Sequence, residues 1–240
     1  QPVNTVDWFW ITAQTPNVQW AKMVCRNLPV YPWVYYLYRW NQILPGGQKN
    51  YRPSSFMRSR DTEGLFQKHD VRFQFLPEEI ETAKEWLRMQ GWKEGDPFVC
   101  LLVRDSEYHV QHPLHGAGDR QSYACRSYHS YRNSDITTYL QAIEWLVEQG
   151  VWVLRMGKIN DSPVSTHHPK VIDYSFHQNK SDLLDIWLFA NCTFCISTAC
   201  GFENVSAVYG RPILNLNALP LIHLLSFYHS TWVPKHLLWS

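Results

Sequence analysis

Four short polar stretches of the 240-residue chain carry cations, carboxylates or small residues, three of them directly after apolar runs and one at the end of a polar loop. They are Arg104-Asp105-Ser106-Glu107-Tyr108, Arg132-Asn133-Ser134-Asp135, Arg155-Met156-Gly157-Lys158 and the small-residue run Ser197-Thr198-Ala199-Cys200-Gly201. Charged donors such as Arg and Lys suit phosphate groups, and an Arg beside an Asn also suits sugar hydroxyls. The small-residue run reads as a tight turn between a strand at Thr193–Ser197 and a helix over Phe202–Tyr209. Backbone N–H groups in such a turn face the positive end of the helix dipole, a ready site for phosphate. A plain crossover that binds nothing explains the same stretch equally well. Arg104 and Asp105 likewise read either as site residues or as a cap or ion pair holding a loop.

His109, His112 and His115 form an H-x-x-H-x-x-H spacing. Imidazole is a common metal ligand. Pro113 and Gly116 break any helix that would align the three rings, and no carboxylate or thiol stands at ligand spacing. No metal is therefore expected. Cys192 and Cys195 have the C-x-x-C redox spacing without a second pair. With Cys100 they lie in apolar runs, where a thiol behaves as a small hydrophobe in a reducing compartment.

The positioning elements follow from hydropathy. Phe98–Val103 is a continuous apolar run of the kind that parallel strands buried on both faces show. Val151–Leu154, a short strand ending at Tyr174, Thr193–Ser197 and Ile213-Leu214 are the further strands. Leu76-Pro77-Glu78-Glu79 opens a helix whose face carries Ile80, Ala83, Trp86 and Leu87. Ser134-Asp135 caps a helix striped by Ile136, Tyr139, Leu140, Ile143, Leu146 and Val147, which Gly150 ends. Ser181 or Asp182 caps the helix Leu183–Ala190. Alternating strands and helices give an α/β doubly wound parallel sheet, Rossmann-like, behind a small or incomplete N-terminal segment. The strand ends are where ligands gather in such sheets.

Composition sets outer bounds. A net charge of +1 gives no nucleic-acid footprint. The twelve Trp, thirteen Tyr and eleven Phe serve packing first and sugar stacking second. Val30–Tyr38 is apolar and aromatic but too short to cross a bilayer. It is expected as a buried helix or strand, with a membrane surface or a partner as the other settings. Leu44-Pro45-Gly46-Gly47-Gln48 is a turn. Arg52, Arg58 and Arg60 read first as a solvated basic loop and second as an acceptor or phosphate contact. The apolar end, without a polar tail, suggests a fragment of a longer protein.

Five stretches carry a family resemblance: VRDSEY at Val103–Tyr108, YRNSDITTYLQAI at Tyr131–Ile143, VLRMGK at Val153–Lys158, NKSDLLDIWLFANCTFCIST at Asn179–Thr198 and GRPILNLN at Gly210–Asn217. Together they make residues 98–217, about half the chain, resemble bacterial glycosyltransferases of surface-carbohydrate clusters. The C-terminal half also resembles the nucleotide-sugar domain of GT-B glycosyltransferases, which have two facing Rossmann-like domains. The resemblance implies a nucleotide-sugar donor as substrate, no cofactor, and a glycan or lipid-linked acceptor. It implies a cytoplasmic enzyme, peripheral to the inner face of the membrane. Arg104, Arg155 and Lys158 become clamps for the donor diphosphate, with Ser197, Thr198 and Gly201 lining the turn beneath it. Arg132, Asn133, Gly157, Ser181 and Asp182 join the donor side. Asp105 is the first candidate base and Asp135 the second. Replacing Arg155 is then expected to cut transfer and leave the fold intact.

The expected domains are 1–97, a partial acceptor-side segment, and 98–240, the nucleotide-sugar domain. The short first segment keeps a second function open, a non-catalytic nucleotide- or glycan-binding module. The histidines keep open a third, a metal-dependent hydrolase.

Overall fold

The computed structural model describes residues 6–11, 15–51, 73–111, 130–219 and 229–236. His112, His115 and the apolar run 221–227 lie outside them, as does the side chain of His109. The chain forms two compact units, Gln1–Leu76 and Pro77–Ser240. The boundary thus falls ahead of the Pro77 helix rather than at residue 97.

In the first unit, helix α1 spans Val18–Asn27 and α2 spans Val34–Asn41. Asn17 caps α1 by accepting from the Trp20 N–H at 2.8 Å. Phe9 and Val30 form an isolated parallel bridge. Trp10 stacks on Tyr38 with ring centres 4.8 Å apart, and Tyr38 meets Tyr51 at 4.7 Å. The turn after α2 closes on Gly47, where a Cβ would lie 1.9 Å from the Asn41 carbonyl oxygen. Val30–Tyr38 is not the buried element expected. Its inward face, Val34 and Tyr38, is filled, while Trp33, Tyr36 and Leu37 stay exposed.

The second unit begins with α3, Pro77–Met89, whose Ala83, Trp86 and Leu87 are buried. Strand β1, Phe98–Leu102, is buried along its whole length, as is β2, Trp152–Met156. A short helix α4, Glu107–Gln111, follows β1. A 3-10 turn, Ile136–Tyr139, leads into α5, Leu140–Glu148. Then come β3 (Val171–Ile172), α6 (Asp182–Asn191), β4 (Phe194–Ser197), α7 (Glu203–Val208), β5 (Ile213–Ala218) and β6 (Ser230–Pro234).

The six strands form one parallel sheet in the order β3-β2-β1-β4-β5-β6. This is the doubly wound Rossmann order. One face packs Val99, Leu101 and Val103 against Ile143, Leu146 and Val147 of α5. On the α6 side, Phe98 stacks on Trp187, and Trp86 of α3 meets Tyr174 edge-on at 5.4 Å. Removing a core side chain such as Ile143 would cost about 2–5 kcal/mol, because packed interiors collapse only partly into a cavity. Strand β6 was not expected; it is a half-exposed edge strand ending in Pro234.

Between β3 and α6, the Tyr174 hydroxyl donates to the Ser181 carbonyl and accepts from its N–H, both at 3.1 Å. Burial raises the neighbouring Asp185 carboxyl from 3.8 to about 6; a hydrogen bond to Tyr174 opposes this, Asp182 adds to it, and Lys158 and Lys180 oppose it. The folded state therefore keeps a proton on Asp185 that the unfolded chain loses above about pH 4. Stability should fall as pH rises from about 4 to about 6. Urea midpoints taken across that window should show the slope, and Asp185→Asn should flatten it.

Candidate functional site

In this strand order the chain leaves β1 in opposite directions, to β2 on one side and β4 on the other. Ligand crevices of open α/β sheets lie outside the carboxyl ends of the strands at such a switch point. Here those ends carry Arg104, two residues past β1, and Thr198, one residue past β4. The two are locked together: the Arg104 N–H donates to Thr198 Oγ1 at 2.8 Å, and the Thr198 N–H to the Leu102 carbonyl at 3.1 Å.

The segment Tyr131–Asp135 lies across this rim. The Ser134 N–H donates to the Arg104 carbonyl at 2.9 Å. Asn217, at the end of β5, donates to Ser134 Oγ and to the Tyr139 hydroxyl, both at 3.1 Å. Lys235, just past β6, donates to the carbonyls of Tyr131 and Asn133, both at 2.9 Å. Four strand ends thereby position Arg132. Its Nη2 donates to the Ala199 carbonyl at 2.8 Å, while its Nε–H is buried without an acceptor among the described residues. Ala199 sits at φ 58°, a left-handed conformation that costs a non-glycine residue energy.

Arg104 and Arg132 are half-buried neighbours. Burial lowers the proton affinity of Arg104, and the like charge of Arg132 lowers it further; Cys200, Tyr131 and Glu203 act in the other direction. Glu203 is buried, and burial raises its carboxyl despite the N–H groups that it accepts. Burial, then the charge of Glu203, pushes the Cys200 thiol up to about 12. Two guanidiniums thus stand together at the switch point, with the buried carboxyl of Glu203 near Arg104. A bound anion would relieve their mutual repulsion.

The turn does not offer the amide site that its sequence suggests. Glu203 Oε2 accepts from the Gly201 N–H at 2.6 Å and the Cys200 N–H at 3.2 Å. Helix α7 has only six residues, and its own carboxylate fills its N-terminus. The Ser197 hydroxyl is also engaged, accepting from the Ala199 N–H at 3.1 Å. Gly201 leaves open space where a side chain would stand. Glu203 is the first residue of α7, and its side chain reaches back over the turn that precedes the helix.

Several other expected site residues prove to be fold ties. Arg155 lies inside β2, not beyond it, and is 1 % exposed. Its Nη1 donates to the Ser162 carbonyl at 2.6 Å and reaches Asp173 at 3.5 Å; its guanidinium stands 5.5 Å from the Phe176 ring centre. It is therefore not a diphosphate clamp on the rim. Asp173, missed in the sequence, also accepts from the Val164 N–H at 2.7 Å and the Ser175 hydroxyl at 3.0 Å. Lys158 pairs with Asp182 at 3.5 Å. Ser181 caps α6 by accepting from the Leu184 N–H at 3.2 Å. Gly157 has φ 153°, and a Cβ there would lie 1.8 Å from Asn160 Oδ1.

The two candidate bases are tied as well. Asp105 accepts from the Glu107 N–H at 3.0 Å, from Asn160 Nδ2 at 2.7 Å and from the Asp161 N–H at 3.2 Å. It holds the loop after β2 to the end of β1. Asp135 caps the turn at Ile136 by accepting from the Thr137 N–H at 2.9 Å; that bond holds its carboxyl below the usual range. Among the described residues no group of His, Cys, Asp or Glu could hold a metal ion.

Arg155→Ala should therefore act on stability. Removing one partner of a buried ion pair costs about 3–5 kcal/mol. Arg132→Ala removes one charged hydrogen bond, worth about 1.5–3 kcal/mol. Urea unfolding of the two variants should rank them in that order.

No protein-family model matches the chain, and no curated protein matches it. Among solved structures it is similar to a glycosyl transferase family 9 protein from Veillonella parvula DSM 2008, with a TM-score of 0.45 and 11% identity. The similarity covers 68% of this chain and 42% of that one, so the chain matches less than half the length of that protein.

Proposed function

We propose that the chain is a glycosyltransferase that holds the diphosphate of a nucleotide-activated sugar between the ends of β1 and β4. The observation that carries this is the half-buried pair Arg104 and Arg132 at the switch point, with the Arg132 Nε–H left over for a ligand. Two fixed cations there suit a diphosphate. The open space at Gly201 leaves room for it.

In transfer, the bond from the anomeric carbon to the diphosphate oxygen breaks, and a bond to the acceptor oxygen forms. Negative charge grows on the departing diphosphate. Preorganised guanidiniums stabilise that charge more in the transition state than in the ground state. They do the neutralising that a metal would otherwise do, so the reaction is proposed as metal-independent. Asp105 and Asp135 enter as positioning residues, since both carboxylates already hold backbone N–H groups. A surface-glycan or lipid-linked acceptor and a cytoplasmic location complete the proposal. Free thiols at Cys100, Cys192 and Cys195 suit a reducing compartment.

A non-catalytic module with the same anion site is favoured by one observation: neither candidate base is unengaged. It would bind donor without splitting it.

Thermal-shift titration with nucleoside diphosphates and their sugars tests both readings. At a hundred times its dissociation constant a ligand adds about 2.7 kcal/mol. Arg104→Ala and Arg132→Ala should each abolish the shift. Silence across the panel would reject the diphosphate site. Binding without donor hydrolysis or acceptor glycosylation would select the module.

A further inference from the structure

Helix α2 turns its apolar stripe outward. Trp33, Tyr36, Leu37 and Trp40 recur at the spacing that places residues on one side of a helix, and Leu44 follows in the turn after it. They are exposed, Tyr36 by 68% and Trp40 by 73%. The opposite side is already occupied: Val34 is buried, and Tyr38 lies against Trp10 and Tyr51. The outer stripe widens at its start. Trp8 packs edge-on against Trp33 at 5.2 Å and Tyr31 stacks on Trp33 at 5.5 Å, yet both Trp8 and Tyr31 are exposed. At its far end Ile43 is 83% exposed. A continuous apolar surface of this kind marks a contact site.

Charge selects the occupant. Over residues 1–76 the sequence has nine Lys or Arg residues against four Asp or Glu, one of which, Asp7, adjoins Trp8. Arg39 stands between Tyr36 and Trp40, exposed, its Nη1 donating to the Tyr35 hydroxyl at 3.1 Å. The rest of the chain carries the compensating excess of acid, since the whole sums to only +1. Exposed Trp and Tyr rings beside Lys and Arg are the composition that settles at headgroup depth on anionic membranes. No helix among the described residues is long and apolar enough to cross a membrane.

We infer that the outer stripe of α2, with Trp8 and Tyr31, docks the chain on an anionic lipid surface, lying in the interface rather than spanning it. The inference is independent of the diphosphate site.

Co-sedimentation of the full chain with phosphatidylcholine vesicles, with and without phosphatidylglycerol, tests it. The chain should sediment with the anionic vesicles and be weakened by salt. Trp40→Ser with Ile43→Ser should lower partition by about tenfold or more. Arg39→Gln should lower it by about fivefold. These side chains are exposed, so circular dichroism and the nucleotide-induced thermal shift should stay as in the parent. Failure to bind either vesicle would overturn the inference. So would a stable dimer that Trp40→Ser dissolves, because a second copy would then be what covers the face. Neither result bears on diphosphate binding at Arg104 and Arg132.

Discussion

The rim depends on one cross-strand lock, the Arg104 N–H on the Thr198 hydroxyl. Parallel strands end in unpaired backbone groups, and at a switch point no crossover covers them. Here a side chain from β4 closes the end of β1, and the Arg104 carbonyl is closed by Ser134. With both backbone groups of Arg104 fixed, its Cα is held at the rim beside the segment that carries Arg132. Two like charges are then held close, Arg104 through its backbone and Arg132 through the bond from its Nη2 to the Ala199 carbonyl.

The same economy explains why so many polar residues at the strand ends are ties. A loop that crosses the carboxyl edge of a sheet needs partners for its own N–H and C=O groups. Asp105 and Asp173 supply them for two different loops, and Asn217 ties a third through the Ser134 hydroxyl. Lys235 does so with a cation, taking up the two carbonyls that flank Arg132. What remains for a ligand after these bonds is a smaller set than the polar residues at the edge, and it centres on the two arginines.

Much of the fold was legible because parallel strands buried on both faces must be apolar throughout. Phe98–Leu102 and the core stripe of Ile136, Tyr139, Ile143, Leu146 and Val147 follow from that and from helical spacing. Strand ends were less legible, with consequences for the site. Hydropathy stops β2 at Leu154, whereas its ladder runs to Met156. Those two residues turn Arg155 from a rim cation into an interior one, because a buried arginine inside a strand reads in sequence like one just beyond it. Glu203 was missed for the opposite reason: its partners are backbone amides, which carry no letter. For α2 the sequence showed an apolar, aromatic run and pointed to burial, but composition does not say which side of a helix is covered. Edge strand β6, short and half exposed, has too little apolar pattern to stand out.

The bonds of the rim join distant parts of the chain. Arg104 meets Thr198 across 94 positions, Arg132 meets Ala199 across 67, and Lys235 meets Tyr131 across 104. Contacts of such long sequence separation form late, after loop closure has been overcome. During synthesis, β1 and β2 exist well before Thr198, Asn217 or Lys235 emerges. The second unit therefore passes through a stage in which β1 and β2 are made and the residues that close their ends are not. Chaperones and proteases would meet its strand ends open, and binding competence would arrive only with the last tenth of the described chain.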